Sequence, residues 1–252
     1  MKLIGKTVLV TGASGGIGAV IATQMAEAGA NLLLGYGRNQ QSAEQVRKQI
    51  VTAGGEAICI GFDVAQETEV EAVFARMAND GTLPDILINN AGAFPMAELL
   101  TMEAKQWDDV QAINLRSAFL CAREAVKAWR ANQSAGVIVN IASIAASLAQ
   151  EQIDHYSAAK AGMLALARNM AREFGPDGIR VNTVSPGLVW RKTLADDWPE
   201  GVARWNKAAP LGRVVQPNDI AKACLFLASN DASAITGINL TVDAGISVAL
   251  PF

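Results

Sequence analysis

The segment His155–Gly162 reads HYSAAKAG and holds one of only two tyrosines in 252 residues, with a lysine four positions on. A phenol in water titrates at about pH 10, which suits it poorly to proton transfer at neutral pH. A neighbouring ammonium stabilises the phenolate and brings that value down. Positions i and i+4 of a helix share a face, so Tyr156 and Lys160 meet the geometric demand for a proton donor with an electrostatic aid. Taken alone, the eight residues are equally an ordinary helical turn. A cofactor, a partner that positions an oxygen, and a pocket must come from elsewhere in the chain.

A nucleotide site is suggested near the N-terminus. In TVLVTGASGGIGAVIATQMAE, Gly12, Gly16 and Gly18 stand between an apolar strand-like run and a helical pattern. Glycines there let the backbone turn tightly and approach a pyrophosphate, and the helix N-terminus offers it free N–H groups. The spacing differs from the common dinucleotide fingerprint, and a glycine-rich turn alone can be only a tight turn.

The elements that must position these residues follow from the apolar pattern. Continuous runs at Thr7–Val10, Asn31–Tyr36, Ala57–Phe62, Asp85–Asn89, Gly136–Ile141, Ile179–Val184 and Asn239–Val242 predict strands buried on both faces. Helical spacing is read over Ile17–Ala28, Ala43–Ala53, Glu67–Ala78, Trp107–Ala131, Tyr156–Phe174 and Asp219–Ala228. Strand–helix alternation predicts an α/β fold, a doubly wound parallel sheet with helices on both faces. One domain is expected over 1–252. An irregular insert at about 186–217 carries Trp190, Trp198 and Trp205, and so reads as a lid rather than disorder.

Composition narrows the function classes. Hydrophobic residues make up 51%, charged residues 18%, and the net charge is -3, so no basic stripe marks nucleic acid as a partner. Cys59, Cys121 and Cys224 lie far apart and the one histidine, His155, has no second to join it, so no metal site is expected. The thiols are expected to be reduced and buried, in a cytoplasmic protein. The N-terminus lacks the pattern of a secretory signal, and no run has the roughly 18 apolar residues of a membrane span. His155 is expected at a surface or interface rather than in catalysis, since adjacent helical residues point about 100° apart.

Five motifs together carry a resemblance: TGASGGIG (Thr11–Gly18), NNAG (Asn89–Gly92), Ser143 at a strand end, YSAAK (Tyr156–Lys160) and PG (Pro186–Gly187). In order and spacing they resemble the short-chain dehydrogenase/reductase family, in its branch of about 250 residues, over essentially the whole chain. The resemblance implies a seven-stranded Rossmann-type sheet, a nicotinamide cofactor and carbonyl–alcohol interconversion. It implies Tyr156 as acid or base, Ser143 as the group that orients the substrate oxygen, and Lys160 as the residue that lowers the Tyr156 pKa and holds the nicotinamide ribose. Asn114 would complete the relay. Cofactor contacts are implied for Gly12, Ser14, Gly16, Ile17, Gly18, Asp63, Val64, Asn90, Ala91, Gly92, Pro186, Gly187 and Val189. Where an acid at the end of the second strand would select NAD(H), the chain has Gly35 and Tyr36, followed by Arg38 and Asn39. NADP(H) is therefore favoured, with NAD(H) as the alternative. The resemblance also implies a homotetramer or homodimer, and the apolar tail VALPF is a candidate subunit contact.

One departure concerns substrate choice. The family's threonine beyond the PG pair falls at Arg191, with Thr193 two residues on. Trp190, Arg191 and Lys192 are candidates to recognise an anionic or polar substrate group, against a reading as a solvated loop. Small ketones, 3-oxoacyl thioesters and sugars or polyols stay open as substrates. The segment Ser143–His155 lacks the glycine-rich pattern associated with dedicated 3-oxoacyl reductases. A non-catalytic dinucleotide sensor is the alternative from another class.

Overall fold

The computed structural model describes residues 2–249, so of the tail VALPF the residues from 250 onwards lie outside the described ones. Seven strands form one parallel sheet in the order β3-β2-β1-β4-β5-β6-β7. They are β1 (Thr7–Val10), β2 (Asn31–Tyr36), β3 (Glu56–Gly61), β4 (Ile86–Asn89), β5 (Val137–Ile141), β6 (Arg180–Pro186) and β7 (Asn239–Val242). The expected Rossmann-type doubly wound sheet is the one found.

The continuous apolar runs have a direct cause. Val8, Val10, Leu32, Leu34, Ile86 and Ile88 face one core, whereas Leu9, Leu33 and Leu87 face the other. Successive strand side chains point to opposite faces, and both faces are covered. On the first face pack α1 (Gly16–Glu27), α2 (Gln40–Thr52) and α9 (Pro217–Ala228). On the second lie α3 (Glu67–Asn79), α5 (Ser117–Ala131) and α6 (Asp154–Phe174). Strand order reverses between β1 and β4, and ligands of open α/β sheets bind beyond the strand carboxyl ends at such a point.

Two helical regions differ from expectation. The pattern read as Trp107–Ala131 begins earlier, with α4 (Ala104–Gln111), and is interrupted by a π turn at Ala112–Arg116 before α5. Apolar periodicity cannot register one extra residue in a turn. Asn114 Nδ2 donates to Val110 O at 3.1 Å, a side-chain bond of the kind that competes with the helical ladder. The insert after β6 is ordered as α7 (Leu194–Asp197) and α8 (Pro199–Ala208), with Pro199 in the first turn of α8.

Candidate active site

The glycine turn and the end of β4 are tied together by Thr11 and Asn90. Thr11 Oγ1 accepts from the N–H groups of Asn90 and Ala91, both at 3.0 Å. Asn90 Nδ2 donates to Thr11 O at 2.9 Å and to Gly12 O at 3.2 Å. Gly12 has φ +66°, and a Cβ on it would lie 3.0 Å from the Ala91 Cα. Gly18 admits no side chain, because a Cβ there would lie 2.3 Å from Gly12 O and 2.5 Å from Asn90 Nδ2. Ser14 and Ile17 are half-buried in the same turn, and Ile17 packs against the core. Thr11 and Asn90 thus shape the turn rather than project from it. Asn89 also acts structurally, as its Nδ2 donates to Asn140 Oδ1 at 2.9 Å and to Ala118 O at 3.3 Å.

The start of α1 suits an anion. No side chain caps it and no acid stands in its first turn. A Cβ on Gly15 or Gly16 would meet nothing within 4 Å, so the turn leaves open space beside the helix start, whose first N–H groups lack intrahelical acceptors. These features fit a dinucleotide pyrophosphate. The exposed Arg38 lies between β2 and α2, and none of the described ion pairs engages it. Asn39 caps α2, its Oδ1 accepting from Ser42 N at 3.0 Å, which leaves only its amide N–H groups for a ligand. Asp63 is exposed after β3, its Oδ1 accepting from Ala65 N at 2.9 Å, while Val64 is buried.

Tyr156 lies in the first turn of α6, and Lys160 follows one turn later. The buried stripe of that helix is Ala159, Lys160, Met163, Ala167, Met170 and Ala171, so the lysine occupies an apolar face. Lys160 Nζ donates to Ile141 O at 2.8 Å and sits 5.5 Å from the centroid of the Tyr156 ring. Ser143, at the end of β5, is extended at φ -168° and its Oγ accepts from Ala145 N at 3.1 Å; it lies near enough to Tyr156 to pull against the upward shift of the phenol. Asn114 is fully buried in the π turn and grips Ala93 twice: Nδ2 donates to Ala93 O at 2.9 Å and Oδ1 accepts from Ala93 N at 3.3 Å. A Cβ on Gly92 would lie 2.6 Å from Asn114 Oδ1 and 3.7 Å from Lys160 Nζ. Asn114, Ser143, Tyr156 and Lys160, distant in sequence, therefore converge at the ends of β4 and β5.

Packing around Tyr156 acts on its phenol in two opposed ways. Burial holds the phenol above its ordinary value, and Ser143 opposes this without prevailing. Lys160 is itself pushed down to about 7 by burial, so its charge is weakened where the phenolate would need it. This has a stability consequence. Between about pH 7 and 9 the unfolded chain holds the Lys160 proton and the folded one releases it, so stability rises with pH. Above that window the buried thiols of Cys121, pushed up to about 12, and Cys224, pushed higher, reverse the trend. The thermal midpoint should climb by roughly 3–6 °C from pH 7 to 9 and lose that slope in Lys160→Met. An unchanged slope in the variant would remove Lys160 as its source.

Beyond β6, Pro186 is buried and Gly187 half-buried; Gly187 N donates to Val242 O at 2.9 Å. Val189 pairs with Val215, and Trp190 N donates to Val215 O at 2.7 Å, pinning this segment to the strand leading into α9. Trp190 and Lys192 are exposed. Arg191 Nη1 pairs with Asp197 and donates to Thr193 Oγ1 at 2.6 Å, an exposed ion pair that leaves the other guanidinium N–H groups without a described partner. Thr193 Oγ1 in turn donates to Asp197 at 2.8 Å, so the hydroxyl is committed within the loop.

Two expectations need correction. His155 is not at a surface; it is 0% exposed, and neither ring nitrogen has a partner among the described residues. Its carbonyl accepts from Gln111 Nε2 at 2.7 Å, which fastens the start of α6 to α4. Cys59 is half-buried rather than buried, while Cys121 and Cys224 are buried, and all three are free. Among the described residues no group of three or more His, Cys, Asp or Glu could hold a metal ion, and no helix is long and apolar enough to cross a membrane. One site residue went unread in the sequence. Phe94 meets Tyr156 edge-on, with ring centroids 4.8 Å apart and planes at 86°. Its only sequence signal is an aromatic residue two positions after NNAG.

The chain is similar to known proteins along its length. Residues 12–247 match the family model described as enoyl-(acyl carrier protein) reductase. A 3-oxoacyl-(acyl-carrier-protein) reductase from Staphylococcus aureus is 36% identical over 244 residues, 96% of this chain and 98% of that protein. Among solved structures, a gluconate 5-dehydrogenase from Burkholderia cenocepacia in complex with NADP and tartrate superposes with TM-score 0.92 at 31% identity, covering 99% of this chain and 98% of that one. A short-chain type dehydrogenase/reductase from Mycobacterium marinum gives TM-score 0.91 at 33% identity, covering 98% and 97%.

Proposed function

From the premise that the chain belongs to the short-chain dehydrogenase/reductase family, as an NAD(P)-dependent oxidoreductase interconverting carbonyls and alcohols, we propose that Tyr156 is its proton-transfer group. The observation that carries this is the half-buried Tyr156 with Lys160 Nζ 5.5 Å from its ring centroid, one helical turn on. A bound nicotinamide nucleotide supplies or accepts the hydride. Gly12, Gly16 and Gly18 would leave room for its pyrophosphate at the start of α1, with Ala91, Gly92, Gly187 and Val189 along its path.

The chain's residues divide the remaining work. Ser143 donates a hydrogen bond to the substrate oxygen and turns it towards Tyr156. Tyr156 gives its proton to that oxygen in reduction and takes it back in oxidation. Lys160, given ribose hydroxyls as acceptors, recovers its ammonium charge and then lowers the Tyr156 pKa. Asn114 fixes Ala93 by both its N–H and its C=O beside Gly92 and Lys160, and would complete the relay.

The preferred cofactor is NADP(H), on the strength of the exposed Arg38 and the lack of an acid at the end of β2. Assays of reduced-nucleotide consumption with a carbonyl panel test both parts. Arg38→Ala should raise the Michaelis constant for NADPH by roughly tenfold or more and leave that for NADH unchanged. Equal effects on the two nucleotides would refute the role of Arg38. Bound nucleotide with no turnover of any carbonyl or alcohol would instead indicate a dinucleotide sensor. A homo-oligomer and a cytoplasmic setting are part of the same reading.

A further inference from the structure

We propose that Phe94 determines substrate choice: it forms an apolar platform beside Tyr156 that receives an aryl or alkyl substituent of the carbonyl substrate. This rests on the carbonyl–alcohol reading above and narrows its substrate class. Phe94 is 52% exposed, yet stands edge-on to the phenol, its centroid 4.8 Å from that of Tyr156. A group bonded to a carbonyl carbon that reaches the Tyr156 oxygen therefore comes against this ring.

The platform is held in place. At one end, Asn114 grips both the N–H and the C=O of Ala93. At the other, Ala97 N donates to Gln152 O at 2.8 Å, joining the segment to the loop that also carries the exposed Leu148. Five residues fixed at both ends present their side chains in a set orientation, so little ordering cost falls on binding. Hydroxyls of a polyol or aldonate laid on Phe94 would lose water without gaining partners. An aryl group would gain both area and an aromatic contact.

The test uses the holoenzyme with acetophenone and dihydroxyacetone as probes, in wild type, Phe94→Ala and Phe94→Leu. Turnover is measured with reduced nucleotide. Binding of acetophenone is measured separately, in the unreactive complex with oxidised nucleotide. Wild type should favour acetophenone in kcat/KM. Phe94→Ala should cut that preference by roughly tenfold or more and raise the acetophenone Kd by a similar factor. Phe94→Leu should recover part of both. An unchanged nucleotide Kd shows that the fold and the cofactor site persist. A preference and a Kd that stay within about twofold in Phe94→Ala, or a wild type that favours dihydroxyacetone, would overturn the platform. Acetophenone binding that depends on Phe94 without turnover of either probe would support the platform and refute the reaction. Turnover indifferent to Phe94 would do the reverse, and failure to bind acetophenone at all would also overturn the platform.

Discussion

Tyr156→Phe is expected to lower kcat by roughly 10²–10⁴-fold while nicotinamide nucleotide binding persists. The substitution removes one hydroxyl and little else. The ring keeps its edge-on contact with Phe94, and Lys160 keeps its place over the ring face and its bond to Ile141 O. What disappears is the proton. No second side chain stands ready to replace it. His155 is adjacent in sequence but buried without partners, and its backbone, not its ring, is what ties it to Gln111. Nucleotide titration should give an unchanged Kd, and kinetics should show the loss in kcat rather than in the Michaelis constant for the cofactor. A Phe variant with wild-type turnover would remove Tyr156 from the chemistry.

Gly18→Ala is the second large expected effect, and it acts through the backbone. The added methyl would sit 2.3 Å from Gly12 O and 2.5 Å from Asn90 Nδ2, the two partners of one hydrogen bond. Neither is the end of a flexible chain, since Gly12 O is main chain and Asn90 is also bonded to Thr11. The clash must therefore separate the glycine turn from the end of β4, where the strand order reverses. Overpacking of this kind costs about 1–3 kcal/mol, or roughly 2–9 °C in thermal midpoint for a chain of this size. Nucleotide affinity should fall by roughly a hundredfold, because the turn loses the close approach that phosphate binding needs. Gly15→Ala is the matched control for stability: its φ is 175°, which any residue adopts, and its Cβ meets nothing within 4 Å. Thermal melts and nucleotide titrations of both variants decide the matter. A Gly18→Ala protein with wild-type midpoint and affinity would show that the turn relaxes freely.

The strands were the most legible part of the fold, for a physical reason. Leu9 and Val10 face different cores, so neither could be polar, and the run TVLV advertises a strand covered on both sides. Helix spacing was equally readable where a single face is buried, as in α6. The π turn at Ala112–Arg116 was not, because one extra residue leaves the apolar pattern almost unchanged. Asn114 was nonetheless found through the family motif, although its double grip on Ala93 is visible only in three dimensions.

Contacts between loops escaped the sequence altogether. Phe94 meets Tyr156 across 62 positions of chain, and nothing local in AFPM marks it as part of the site. Arg191 looked like an unpaired cation because its partner, Asp197, comes six residues later on a short helix that the insert gave no reason to expect. His155 looked exposed because a polar residue beside a catalytic tyrosine is easily assigned to solvent, whereas α4 and the π turn cover that side of α6. The i, i+4 spacing gave Lys160 its neighbours but not its depth, and it is depth that pushes its amine down to about 7.

Transfer of deuterium from the cofactor tests the reaction itself most directly. The enzyme is given reduced nucleotide carrying deuterium at both nicotinamide C4 positions and a prochiral ketone, and the alcohol is recovered and examined by mass spectrometry and NMR. Wild type should place deuterium on the former carbonyl carbon with a single handedness, and Tyr156→Phe should yield almost no product. Bound nucleotide that no ketone oxidises, or an alcohol without deuterium at that carbon, would contradict hydride transfer at this site.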